Sequence, residues 1–366
     1  MKVRKISRFL LAVCFFALSA CLLFILLISL TGYKPDRETV LTDMPGAAAL
    51  DIDTLEILTW NTGYAGLDSG MDFFYDGGSK TRTGKAAALE NLEAIASLVA
   101  RNSADFVFLQ EVDRASSRSY KIDMLSEIAN RKPLYAAFYG INYSVFFVPV
   151  PIASPMGKVE SGILTLSRHI PLQSIRYAYP PGQSWLKNLF LLDRCFLMCR
   201  YPLKNGRQLV LINTHNSAFD SEGEQRREEM LVLKDFITAE YEKGNYVIAG
   251  GDWNQIPPIE SAKHYSGMVT EYFAPLVIPA DFMPPSWKWV SDGKPTNRFL
   301  NAPYVKGKTM ETLLDFFLIS PNVKAIHVER MDENYQHSDH NPLVGKFVLS
   351  DIIIATTMQG RPLRSS

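Results

Sequence analysis

Eight polar residues in this chain stand beside short apolar runs, and their types suit the hydrolysis of a phosphate ester. They are Asn61, Glu111, His215, Asp252, Asn254, Asp315, Asp339 and His340. Such hydrolysis needs a hard divalent cation on oxygen ligands, a group that orients water, and donors aimed at the phosphoryl oxygens. Carboxylates and amides supply the first two, and histidines can supply the third. Each residue alone has a plainer reading. An Asp or Asn after a strand is usually a turn former. A histidine in Asn213-Thr214-His215 is more often a satisfied structural group. Gly251-Asp252-Trp253-Asn254 by itself reads as a tight turn, and Ser338-Asp339-His340-Asn341-Pro342 as a loop with an Asx-turn. The inference rests on all of them occurring together and in order.

The elements that must position these residues are short. Leu55–Trp60 runs into Asn61, Phe106–Leu109 into Gln110-Glu111, Gln208–Ile212 into His215, and Tyr246–Ala249 into Asp252. Leu313-Leu314 meets Asp315, and Phe316–Ile319 continues the run. Length, β-branched and aromatic enrichment and flanking turn residues make these strands. Helical patterns fall between them. Lys85–Arg101 places Leu89, Leu92, Ile95, Leu98 and Val99 on one stripe. Ser221 with Glu224 forms a candidate capping box for a helix running toward Lys243, with Gly244 as its stop. Cys195–Tyr201 and Gln208–His215 flank Asn205-Gly206 as a hairpin. Interspersed strands and helices indicate a mixed α/β sandwich.

The ordered blocks Leu58-Thr59-Trp60-Asn61, Leu109-Gln110-Glu111-Val112, Asn213-Thr214-His215, Gly251-Asp252-Trp253-Asn254, Leu314-Asp315-Phe316-Phe317 and Ser338-Asp339-His340 resemble the endonuclease/exonuclease/phosphatase superfamily. Its members include pancreatic deoxyribonuclease, apurinic-site endonucleases, neutral sphingomyelinases and inositol polyphosphate phosphatases. The resemblance covers residues 53–350 and implies a four-layered α/β sandwich of two mixed β-sheets flanked by helices. It also implies Mg²⁺ or Mn²⁺, with Glu111 as direct ligand helped by Asn61 and Asp339. Asp252 and Asn254 would orient the attacking water or stabilise the transition state. His340 would contact the scissile phosphate, with Asp315 fixing its tautomer, and His215 would be a second phosphate donor. Thr62-Gly63 departs from the apolar residue many relatives carry after Asn61, which leaves the metal assignment intact.

The N-terminus has its own logic. Phe9–Leu30 is 22 residues without a charge, long enough for a helix to span a bilayer core. Lys2, Arg4, Lys5 and Arg8 precede it, which favours a cytoplasmic N-terminus and an extracytoplasmic domain. We expect an uncleaved single-pass anchor at 9–30 after a basic segment at 1–8. The rival is cleavage and secretion, for which Ala17-Leu18-Ser19-Ala20-Cys21 resembles a lipoprotein box, although apolar Leu22–Ile25 follows it. Residues 31–52 read as a linker and 351–366 as a loose tail.

Formal net charge is zero, with six basic against two acidic residues in 1–40, so the remainder sums to −4. A slightly acidic globular part gives no electrostatic footprint for nucleic acid. Cys195 and Cys199 lie about 13 Å apart along an extended strand, too far for a local disulfide, and read as buried thiols.

Substrate clues are weaker. Gly63–Lys80 is rich in glycine and aromatics and either lines the cleft or packs on the domain. The stretches 142–151 and 177–185 are similar loops. Arg114, Arg118 and Lys158 read as solvated surface before phosphate contacts. Trp287 and Trp289 could meet substrate, membrane or core. Three functions follow: a phosphodiesterase at the outer membrane face, an extracytoplasmic endo- or exonuclease, or a non-catalytic ligand-binding domain that retains the fold. The expected partners are a phosphoester substrate and, through residues 9–30, a membrane; no protein partner is evident.

Overall fold

The computed structural model describes residues 2–182, 193–218, 220, 223–267 and 276–350. A helix, α1 (Lys2–Thr31), leads into strand β1 (Glu38–Asp43). Then follow β2 (Thr54–Asn61), α2 (Lys85–Arg101), β3 (Phe106–Asp113), α3 (Met124–Asn130), β4 (Ala136–Val148) and β5 (Gly157–Ser167). The second half holds β6 (Gln173–Ala178), β7 (Cys195–Pro202), β8 (Gln208–His215), α4 (Glu224–Glu242) and β9 (Tyr246–Asp252). It closes with β10 (Lys288–Val290), β11 (Asn297–Arg298), β12 (Glu311–Thr312), β13 (Asp315–Ile319), β14 (Val323–Arg330) and β15 (Leu343–Leu349).

Two mixed sheets result. One has the order β14-β15-β2-β3-β5-β4, the other β1-β6-β7-β8-β9-β13-β10. β2 and β3 run parallel, as do β8 and β9, while their other neighbours are antiparallel. The near-continuous apolar runs of the central strands are explained by burial on both faces. Along β3, Phe106 and Phe108 point between the sheets, and Val107 and Leu109 point outward under α2. Along β9, Tyr246 and Ile248 face inward, and Val247 and Ala249 face α4. The stripe of Leu92, Ile95 and Val99 covers the outer face of the first sheet, and Leu233 with Ile237 covers the second. Helix, sheet, sheet and helix are therefore the four expected layers.

One expectation changes. Residues 31–52 are not all linker, because β1 pairs with β6 at the edge of the second sheet. The β-branched residues Thr39, Val40 and Thr42 suit that edge, and Pro35 and Pro45 lie outside the strand. The expected Ser221–Glu224 capping box at the start of α4 (Glu224–Glu242) involves Ser221, a residue outside the described ones. The helix begins at Glu224, and the Asp220 carboxylate takes the amides of Gly223 and Arg226. Trp185 and the expected tail also lie outside the described residues. The stop at Gly244 stands, with φ +87° and its N–H on Tyr241 O.

α1 contains an apolar stretch, Ser7–Leu30, long enough to cross a bilayer. Most of it is exposed, but Phe24 packs edge-on against Phe147 of β4, and Ile28 is buried.

Candidate active site

The parallel pairs end at the same rim of the sandwich. Asn61 ends β2, Glu111 follows the last β3 residue paired with it, and His215 and Asp252 close β8 and β9 in register with each other. β13 runs antiparallel to β9, so its first residue, Asp315, lies opposite Asp252. Asp339 and His340 come from the loop before β15. Ser338 Oγ donates to Asn61 O at 2.8 Å, and Trp60 Nε1 donates to His340 O at 2.8 Å, fixing that loop on the end of β2. The structure thus brings all eight candidate residues to one place.

Backbone geometry at the rim is specific. A bulge between Leu109 and Val112 leaves Glu111 in the left-handed region at φ +56° and re-aims its side chain toward the cleft. Gly251 has φ +143°, and a Cβ there would lie 2.0 Å from Thr214 O, so only glycine lets β9 close this tightly on β8. Asn254 sits at φ +49°, which asparagine tolerates, with its N–H on Asp252 Oδ1 at 2.9 Å and its Nδ2 on Asn216 O.

A hydrogen bond between Asn61 and Asp252 links the two sheets, with the other groups packed around it. Asn61 Nδ2 donates to Asp252 Oδ2 at 2.9 Å and lies 3.4 Å from Glu111 Oε1. His215 Nε2 lies 3.5 Å and His340 Nε2 3.8 Å from the same Asp252 oxygen. His340 Nδ1 is 2.7 Å from Asp315 Oδ2. Burial by itself would lower the His340 pKa, but Asp315, Asp252 and Asp339 outweigh it and raise it to about 10. His340 is therefore an imidazolium. His215 is the opposite case. Burial, then the charges of Arg194, His340 and Arg118, push its pKa well below the ordinary histidine value, so it is neutral. Two histidines at one site thus carry different charges by environment alone.

Burial raises the Asp339 pKa to about 6, opposed by His340 and reinforced by the nearby Glu111. Burial and Asp315 also raise Asp252, against His340 and the donors Asn61 and Asn254. Hard oxygen donors on neighbouring acids, with like charges reinforcing one another, fit a divalent cation. Glu111 and Asp339 are the acids that fit. Asn61 fits less directly, because it turns Nδ2 toward the carboxylates while its Oδ1 accepts from Gly63 N. Asp252, Asp315 and His340 also present ligand atoms within 4.8 Å of one another. An imidazolium already bonded to Asp315 has no lone pair to offer a cation, so we read that trio as a charge network.

The chain matches the model of the endonuclease/exonuclease/phosphatase family over residues 58–340. It belongs to that family. No curated protein matches the chain significantly in sequence. Solved structures share the fold at low identity. An endonuclease/exonuclease/phosphatase from Beutenbergia cavernae DSM 12333 is 16% identical, with TM-score 0.57, covering 82% of this chain and 72% of that one. ANGEL2, a 2′,3′-cyclic phosphatase solved with adenosine-2′,3′-vanadate, is 14% identical with TM-score 0.54, covering 87% and 99%. A family protein from Leptotrichia buccalis C-1013-b is 15% identical with TM-score 0.52, covering 80% and 99%. Members of the endonuclease/exonuclease/phosphatase family hydrolyse phosphoester bonds, usually with a divalent metal.

Within this family frame, several side chains around the rim escaped the sequence reading. Arg118 is not solvated. It grips Asp113 with two bonds of 3.0 and 2.9 Å and lies 3.9 Å from the Tyr64 ring centroid beneath Glu111. Thr296 Oγ1 accepts from Leu314 N and Asp315 N, and the Asn297 side-chain amide lies 2.9 Å from His340 Nε2, where its oxygen would accept from the imidazolium after a flip. Asn142 Nδ2 sits 3.4 Å from His215 Nδ1. Each comes from a loop or a neighbouring strand, where no apolar run ends to mark it. The Gly63–Lys80 loop packs Tyr64, Leu67, Met71 and Phe73 into the core. Trp287 and Trp289 pack on Tyr241, Trp253 and Phe316.

Proposed function

We propose that this chain is a metal-dependent phosphodiesterase working at an extracytoplasmic membrane face. The observation that carries the reading is the Asp315–His340 pair set against Asp252, with Glu111 and Asp339 beside it. A Mg²⁺ or Mn²⁺ ion held by Glu111 and Asp339, with Asn61 beside them, would polarise the phosphoryl group and help charge build on it. The protein's own groups supply the rest. Asp252, held by Asn61 and by the Asn254 amide, accepts a hydrogen bond from the attacking water and orients it. His340, kept charged by Asp315, directs Nε2–H at a phosphoryl oxygen, where negative charge grows. With Asn142 donating to its Nδ1, neutral His215 points Nε2–H into the same cleft.

The membrane part of the reading rests on the Ser7–Leu30 stretch and on the basic residues before it. The test is hydrolysis of bis(p-nitrophenyl) phosphate by the full chain in detergent, with Mg²⁺, Mn²⁺ or EDTA, alongside Asp252→Ala. Metal-dependent turnover that the variant loses supports the proposal. No turnover and no metal-induced rise in melting temperature would refute it. Protease accessibility of the domain in sealed vesicles tests the topology.

A further inference from the structure

A pocket of about 750 Å³ lies where the last turn of α1 meets the sandwich. Ile28, Ser29 and Tyr33 form one wall, and Val145 and Phe146 of β4 another. Two buried arginines line it, each with at least one guanidinium nitrogen that is shielded from solvent and finds no hydrogen-bond partner among the described residues. Arg176 is 1% exposed. Its Nε serves Ile141 O and its Nη2 serves Asp193 O, but Nη1 is unpaired. Arg194 is 7% exposed, and both Nε and Nη1 are unpaired. Buried donors on a fixed charge are costly to leave unmet, and a planar guanidinium matches a phosphate with two parallel bonds.

Charge and position identify the occupant. Lys34 and Arg37 add to these arginines against a single acid, Asp193, so the described lining is cationic. The pocket opens at the end of the apolar Ser7–Leu30 stretch, the level at which phospholipid headgroups would lie. The β4–β5 hairpin beside it exposes Phe146, Val150 and Ile152, at 54%, 37% and 93%, next to the Phe24–Phe147 contact. An apolar tip at that depth suits the interface of a bilayer and has no evident use in water.

We propose that this pocket binds the headgroup of an anionic phospholipid, its phosphate on Arg176 and Arg194 and its chains along the Phe24–Ile28 face of α1. The inference rests on Phe9–Leu30 being embedded in the membrane and not on the hydrolytic reading. Arg194 also stands close enough to His215, Glu111 and Asp252 for their charges to interact, so the lipid site adjoins the catalytic rim.

The full chain in phosphatidylcholine nanodiscs, with increasing phosphatidylglycerol, provides the test. Native mass spectrometry after extraction should show phosphatidylglycerol retained in preference to phosphatidylcholine, and the melting midpoint should rise with it. Arg176→Gln and Arg194→Gln should weaken retention about tenfold, the loss of one charge-assisted contact. Arg37→Glu, at the exposed rim, should weaken it severalfold and carries the test if a buried variant misfolds by circular dichroism. Equal retention of both lipids, or retention unchanged in all three variants, would overturn the proposal. So would full protection by inorganic phosphate in detergent, which would make the ligand a soluble anion. Hydrolysis of bis(p-nitrophenyl) phosphate is read separately and bears on the catalytic proposal alone.

Discussion

His340 Nδ1 lies 2.7 Å from Asp315 Oδ2, and this contact sets the charge of the side chain that faces the cleft. Asp315→Asn keeps the shape and removes the charge. The expected result is a loss of kcat of about 10²- to 10⁴-fold with a small change in KM. In the proposed mechanism His340 acts as the cation, the form present below its pKa of about 10. Removing Asp315 lowers that pKa, so the alkaline limb of the pH–rate profile should move toward neutrality. An unmoved limb would show that Asp315 serves only packing.

Glu240 gives a test of stability against pH. Burial would raise its pKa, but hydrogen bonds from Arg200, Lys243 and Asn245 lower it to about 2 from 4.5. The folded value lies below the unfolded one. The stabilisation is therefore present in full above about pH 4.5 and is lost as pH falls toward 2. Glu240→Gln should cost about 2 kcal/mol at neutral pH and much less at pH 2–3, read by urea midpoints.

The rim residues were legible because each ends or begins an apolar run, and a strand end is where a sheet can present a polar group. Asp252 after Tyr246–Ala249 and Glu111 after Phe106–Leu109 are clear cases. The helical stripe Leu92–Ile95–Val99 was legible for the same reason, a period matched to a buried face. Arg118 was not, because its partner Asp113 and the Tyr64 ring reach it only after β3 turns at its bulge. Arg194, Asn142 and Asn297 depend on contacts across 20 to 70 residues or more of sequence, which local pattern does not carry. β1 was hidden because an edge strand half open to water lacks the apolar run of a central one. At the start of α4 the Asp220 carboxylate takes two amides, a contact set by the fold of the preceding loop.

Gly251→Ala tests the close approach of β9 to β8. A methyl group would meet Thr214 O at 2.0 Å, and φ +143° is closed to alanine. We expect a loss of roughly 2–4 kcal/mol in stability, together with reduced activity as Asp252 shifts. Unchanged melting temperature and turnover would contradict the geometry.

Metal should stabilise the fold by mass action if Glu111 and Asp339 hold it. Mg²⁺ or Mn²⁺ should raise the melting temperature of the native chain, and EDTA should reverse the rise. Glu111→Gln should abolish most of this shift while leaving the metal-free melting temperature within a few degrees. A full shift in Glu111→Gln would place the ion elsewhere.

The most direct test of the account is turnover of bis(p-nitrophenyl) phosphate by the full chain, compared with Asp252→Ala and His340→Ala. The expected result is hydrolysis with Mg²⁺ or Mn²⁺, none with EDTA, and a loss of at least about 10²-fold in each variant. Turnover that survives EDTA, or that both variants retain, would contradict a metal-assisted mechanism built on this rim.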